Sequence, residues 1–170
     1  MKPLLKKIVL FSAFVALLTA CSKKEEVVTE APLTIASATA QAIGTWKATQ
    51  FSVVNNGVTN KFTPTKSEML QITATNVKLY SSTGSNSLFD YKIGNDSGYI
   101  DAFDWLYSIE IPTAALKADV LGQKYKALLG TDNYFFLNVS NTDGFVTSIN
   151  GTKLTLFIPF SQMTLQFEKQ

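Results

Sequence analysis

The sequence contains no histidine and no arginine, and its one cysteine is Cys21. Without histidine, neither a Ser–His nor a Cys–His nucleophile pair can form. Zinc, haem and blue-copper sites lose their usual ligands. Without arginine there is no bidentate fork for phosphate or carboxylate, and no glycine-rich phosphate loop replaces it. These gaps leave no catalytic residue, no metal site and no cofactor to assign. Charge of one sign is also lacking. Fifteen lysines face 13 acidic residues, but Lys2, Lys6 and Lys7 lie within the first ten positions. The remaining 12 lysines against 13 acids leave a charge near −1, with no basic patch for nucleic acid.

Carboxylates are present. Asp90, Asp96, Asp101 and Asp104 fall in "FDYKIGNDSGYIDAFD". Two of them could serve a glycosidase, and "NDSGYID" does not have the spacing of a calcium loop. Turn residues and outward positions on a hairpin are the plainer reading, so the chain is expected not to be an enzyme.

The first residues, "MKPLLKKIVLFSAFVALLTAC", have the layout of a secretory signal. Three lysines precede an apolar run from Ile8 to Leu18, and the small residues Thr19 and Ala20 precede Cys21. The run is short for a transmembrane span, and "SKKEE" follows it directly. Leu18-Thr19-Ala20-Cys21 resembles the bacterial lipoprotein lipobox. The resemblance implies cleavage after Ala20, a diacylglyceryl thioether on Cys21 and an acylated amino terminus, so that the membrane is a partner through a lipid anchor. Each buried CH₂ adds about 0.8 kcal/mol, and two or three chains make such an anchor stable. Ser22 stands where an aspartate would imply inner-membrane retention in enteric bacteria. Lys24-Glu25-Glu26 is similar to the export signal of surface lipoproteins in the Bacteroidota. These features imply an outer-membrane lipoprotein facing the cell surface, with a plain solvated linker in the periplasm as the competing reading.

Three segments follow: a signal peptide at 1–20, a lipidated terminus and tether at 21–41, and a folded domain at 42–170. The tether's Pro, Ser, Thr and Ala lack a period of 2 or 3.6, although "VVTEAPLTIA" could instead add an edge strand. The domain is long enough to bury roughly two-thirds of its unfolded surface.

Most of the domain alternates with period 2. In "AFDWLYSIEI", Phe103, Trp105, Tyr107, Ile109 and Ile111 point one way. Leu154, Leu156 and Ile158 make a second such row, and Met163, Leu165 and Phe167 a third. "NYFFLNVS" at 133–140 is apolar enough to be covered on both faces. Turns separate the runs: Asn56-Gly57, "STGSN" at 82–86, "GNDSG" at 94–98, "NTDG" at 141–144 and "INGT" at 149–152. Short strands with evenly spaced turns predict a mainly β fold, an antiparallel barrel or sandwich. "PTAALKADVLGQKYKALLG" interrupts them. Thr113 caps a helix there that is expected to stop at Gly122, plugging or flanking the barrel.

The domain opens with Gly44-Thr45-Trp46 and closes with "INGTKLTLFIPFSQMTLQFEKQ". Both ends resemble the lipocalin-like lipoprotein domains of Bacteroidota. That resemblance implies an antiparallel calycin-type barrel with Gly44 and Trp46 at its floor. The relatives' arginine over the tryptophan is missing, so a lysine such as Lys153 stands in, or the floor is apolar. It also implies binding of small apolar molecules.

Between residues 89 and 107 lie Phe89, Tyr91, Tyr99, Phe103, Trp105 and Tyr107. Aromatics filling a core would explain them, since small barrels are filled by side chains. The sharper expectation is a cavity where Tyr91, Phe103, Trp105 and Tyr107 meet an apolar or amphipathic ligand. The alternative function is a filled barrel whose surface contacts an envelope protein or glycan.

Overall fold

The computed structural model describes residues 31–84, 87–139 and 144–170. The leader, Cys21, Lys24–Glu26, the tether through residue 30 and the 141–143 part of the "NTDG" turn lie outside the described residues.

The alternating runs form one antiparallel, nearly closed, barrel-shaped sheet. Strand β1 (Gly44–Asn55) turns at Asn56-Gly57 into β2 (Val58–Phe62). Both turn residues have positive φ, 49° and 76°, which is why Asn-Gly stands there. β3 (Glu68–Ile72) continues along the same side of β1, pairing Gly44–Lys47 while β2 pairs Phe51–Asn55. β4 (Asn76–Ser81) follows, then the hairpin arm of β5 (Ser87–Ile93) and β6 (Asp96–Asp101). The chain returns through β7 (Phe103–Leu106) and β8 (Ser108–Glu110). After two helices come β9 (Phe135–Asn138), β10 (Gly144–Asn150), β11 (Lys153–Ile158) and β12 (Met163–Lys169), which pairs with β1.

The ring is brought nearly closed by one segment that serves both ends of the sheet. The run 103–110, expected as one strand, is two, broken at Tyr107. β7 pairs with β4 and β8 pairs with β9. One extended segment therefore joins the two ends of the sheet. The Tyr107 N–H donates to the Thr75 carbonyl (3.1 Å), and its hydroxyl donates to the Thr73 carbonyl, pinning the seam to the β3–β4 turn.

Inward residues fill the barrel. Trp46, Leu70, Leu79, Leu137, Leu156, Leu165 and Phe167 are all buried in one cluster. Each such side chain contributes about 1.5–3 kcal/mol relative to exposure. Going round through β1, β3, β4, β7/β8, β9, β10, β11 and β12 gives eight positions, the size at which side chains just fill the interior.

The helices depart from expectation in two places. Residues 35–41, read as tether, belong to helix α1 (Ile35–Ala42). Thr34 and Ser37 form a reciprocal capping box, and Ala38 and Ala42, one turn apart, are fully buried against the barrel. Linker-like composition hid a short helix whose small residues let it lie close to the floor. Downstream, the single helix expected to stop at Gly122 is two: α2 (Ala114–Ala118) and α3 (Val120–Leu129). Asp119 ends the first and caps the second, accepting from the Gly122 N–H at 2.7 Å. Gly122 therefore sits inside α3, where a Cβ would overlap the Leu116 carbonyl. The true stop is Gly130, in the left-handed conformation at φ 70°. α3 flanks the wall, packing Tyr125 against the outward-facing Phe136 and Phe157.

Candidate functional site

The two ends of the barrel differ in chemistry. At the floor, Trp46 is completely buried and its Nε1–H donates to the Ala42 carbonyl at 2.9 Å. That carbonyl belongs to the last turn of α1, where acceptors lack helical partners. Lys169 Nζ lies 5.0 Å from the Trp46 ring centre and donates to the Gln41 carbonyl at 3.4 Å. The cation over the tryptophan is thus Lys169 from the final strand, not Lys153, which lies exposed opposite Glu168. Gly44 stands beside the Lys169 side chain at φ 148°, a backbone conformation that side-chain-bearing residues rarely adopt. A cation over an indole face and beside a helix C-terminus is favourable on both counts.

At the opposite end, a cavity of about 380 Å³ opens to solvent. It lies at the lower edge of the 300–1,000 Å³ typical of small-molecule sites. Its aromatic lining comes from four places. β7 supplies Phe103 and Trp105, the arm supplies Tyr91 and Tyr99, β10 supplies Phe145, and the β11–β12 turn supplies Phe160. Phe103 stacks on Trp105 with centroids 4.8 Å apart and planes at 15°, and on Phe145 at 5.6 Å. Alternation places Phe103 and Trp105 on one face of β7, which makes this stack possible. The second edge of β7 has no strand partner among the described residues. Tyr91 is held by Gly98 across the arm, where a Cβ would overlap the tyrosine ring.

Of the residues singled out from sequence, Tyr91, Phe103 and Trp105 meet in this cavity. Tyr107 does not line it. Its hydroxyl is spent on the Thr73 carbonyl at the seam, and burial pushes its pKa above the ordinary phenol value. Tyr107 still packs against the core cluster beside Phe103 and Ile109, but its hydroxyl reaches the β3–β4 turn rather than the cavity. Sequence reasoning missed Phe145 and Phe160, which lie far along the chain. Phe160 carried one signal: a large aromatic inside a Pro-containing turn. It is 94% exposed.

The four aspartates do not converge. Asp96 accepts from the Asn55 side chain at 3.1 Å and Asp104 accepts from the Asn76 side chain. Asp101 lines the cavity.

Comparison with protein-family models, with curated proteins and with solved structures returns no match.

Proposed function

We propose that the protein is a lipid-anchored, non-enzymatic barrel of the bacterial cell envelope that binds a small apolar or amphipathic ligand in its mouth cavity. The carrying observation is the cavity itself: a solvent-open hollow walled by aromatic rings at one end of an otherwise filled barrel. Trp105 remains 44% exposed there, although Trp46 and the interior leucines are fully buried. A ring that large, left open beside a hollow, is available to a ligand.

The lipobox-like Leu18–Cys21 and the lipocalin-like ends support the rest of this reading. The geometry of the floor fits it. α1 enters at the Trp46 end, and β1 then rises 12 residues to the other, roughly 40 Å.

One observation favours the second reading, a module that contacts envelope protein or glycan. Phe160 and Leu106 are 94% and 73% exposed, large apolar side chains open to a partner's surface. Titration of the full chain with an apolar fluorescent probe separates the two. Saturable binding that weakens in Trp105→Leu supports the carrier, and no binding to the wild type favours the contact module. The anchor is tested independently: Cys21→Ser abolishes lipid labelling and releases the protein from membrane fractions, and a variant that keeps both label and membrane association refutes it.

A further inference from the structure

The chemistry of the cavity wall narrows the ligand further. Of its twelve lining residues six are aromatic, one is a carboxylate and none is a lysine, so the wall has electron-rich ring faces and one negative charge. The stack of Phe145, Phe103 and Trp105 turns ring faces towards each other. The open aromatic surface is left to Trp105, 44% exposed, Tyr99, 65% exposed, and Phe160. Asp101 makes no ion pair or side-chain hydrogen bond with the described residues.

We propose that this cavity takes a small organic cation, an alkyl- or arylammonium group with an apolar body. The inference rests on the mouth-cavity reading above and names its ligand class. Three alternatives fit the wall less well. An anion would meet the negative faces of the rings and a carboxylate, with no lysine to offset them. A purely apolar molecule that covered Asp101 would strip water from a charge and give it no partner. A sugar could engage Asp101, Ser161, the tyrosine hydroxyls and the Trp105 indole N–H, but it would leave the Asp101 charge without a counter-ion. An ammonium group pairs with Asp101 while its substituents lie against Trp105, and indole is the best of the aromatic faces for a cation.

The test uses the purified full chain and four probes, followed by calorimetry. Phenyltrimethylammonium is the cation, and tert-butylbenzene has the same shape without the charge. Benzenesulfonate is the anion and methyl glucoside the sugar. The cation should bind about tenfold more tightly than its neutral isostere. Asp101→Asn, at an exposed position, should weaken the cation several-fold and leave the isostere unchanged, with an unaltered unfolding midpoint. Equal affinity for cation and isostere, tighter binding of the sulfonate or the glucoside, or an Asp101→Asn variant that binds the cation normally would overturn the proposal. In each of those cases the mouth-cavity reading survives if the bound probe still changes Trp105 emission. Silence from all four probes together with the apolar fluorescent probe would remove that reading as well.

Discussion

Glu68 offers a sharp test of how the barrel interior is built. It begins β3 on the face shared with Leu70 and Ile72, and no part of it reaches solvent. Among the described residues neither carboxyl oxygen meets a well-aligned hydrogen-bond donor. Ser81, directly across on β4, has its hydroxyl engaged with Thr83 at 2.7 Å. Burial raises the Glu68 pKa, outweighing the smaller pull of nearby backbone amides and of Lys66 towards the charged form. Between the unfolded value, about 4.3, and the raised folded value, the folded state holds the extra proton. Stability therefore falls as pH rises through that window. Glu68→Met keeps the length and removes the unpartnered group, whose burial costs about 1–3 kcal/mol. The variant should be more stable than wild type by that amount at pH 7, roughly 3–10 °C in Tm. The advantage should shrink below about pH 4, where the carboxyl is protonated in both states. Urea denaturation of both proteins at a series of pH values measures this. A variant less stable than wild type at pH 7, with the gap unchanged at low pH, would mean that Glu68 has a partner.

Two further outcomes follow from packing. Trp46→Ala should cost about 3–5 kcal/mol by chemical denaturation, because a fully buried indole and its bond to Ala42 are both lost. Trp105→Ala, at a half-open site, should cost less than half as much. Gly122→Ala should destabilise by about 1–3 kcal/mol although alanine is the better helix former, because the new Cβ meets the Leu116 backbone, which cannot swing aside. Thermal melts of the variant against wild type decide it.

Much of the barrel was legible in the chain. Period-2 rows such as Leu154-Leu156-Ile158 and Met163-Leu165-Phe167 are neighbours in register, Leu156 opposite Leu165 and Ile158 opposite Met163. Asn56-Gly57 makes the hairpin it advertises. What alternation could not show was where a strand changes partners. Tyr107 continues the apolar row by sequence, but the switch from β4 to β9 occurs beside it, and its hydroxyl joins a turn. Helix α1 was obscured because its buried face is only Ala38 and Ala42, too small to stand out as an apolar stripe. The cavity was half visible. Tyr91, Phe103 and Trp105 stand within one short stretch, whereas Phe145 and Phe160 join them only through the folding of β10 to β12. Sequence distance carries no signal for that kind of meeting.

The most direct test of the central claim uses the two tryptophans as reporters at opposite ends of the barrel. Tryptophan emission of wild type and of Trp105→Phe is recorded while phenyltrimethylammonium is added, with binding to each protein checked by calorimetry. Ligand in the mouth cavity should change the wild-type emission and leave Trp105→Phe silent, because its remaining indole, Trp46, is sealed at the floor. An emission change that persists in Trp105→Phe, or calorimetric binding with no emission change in wild type, would place the ligand elsewhere and contradict the account.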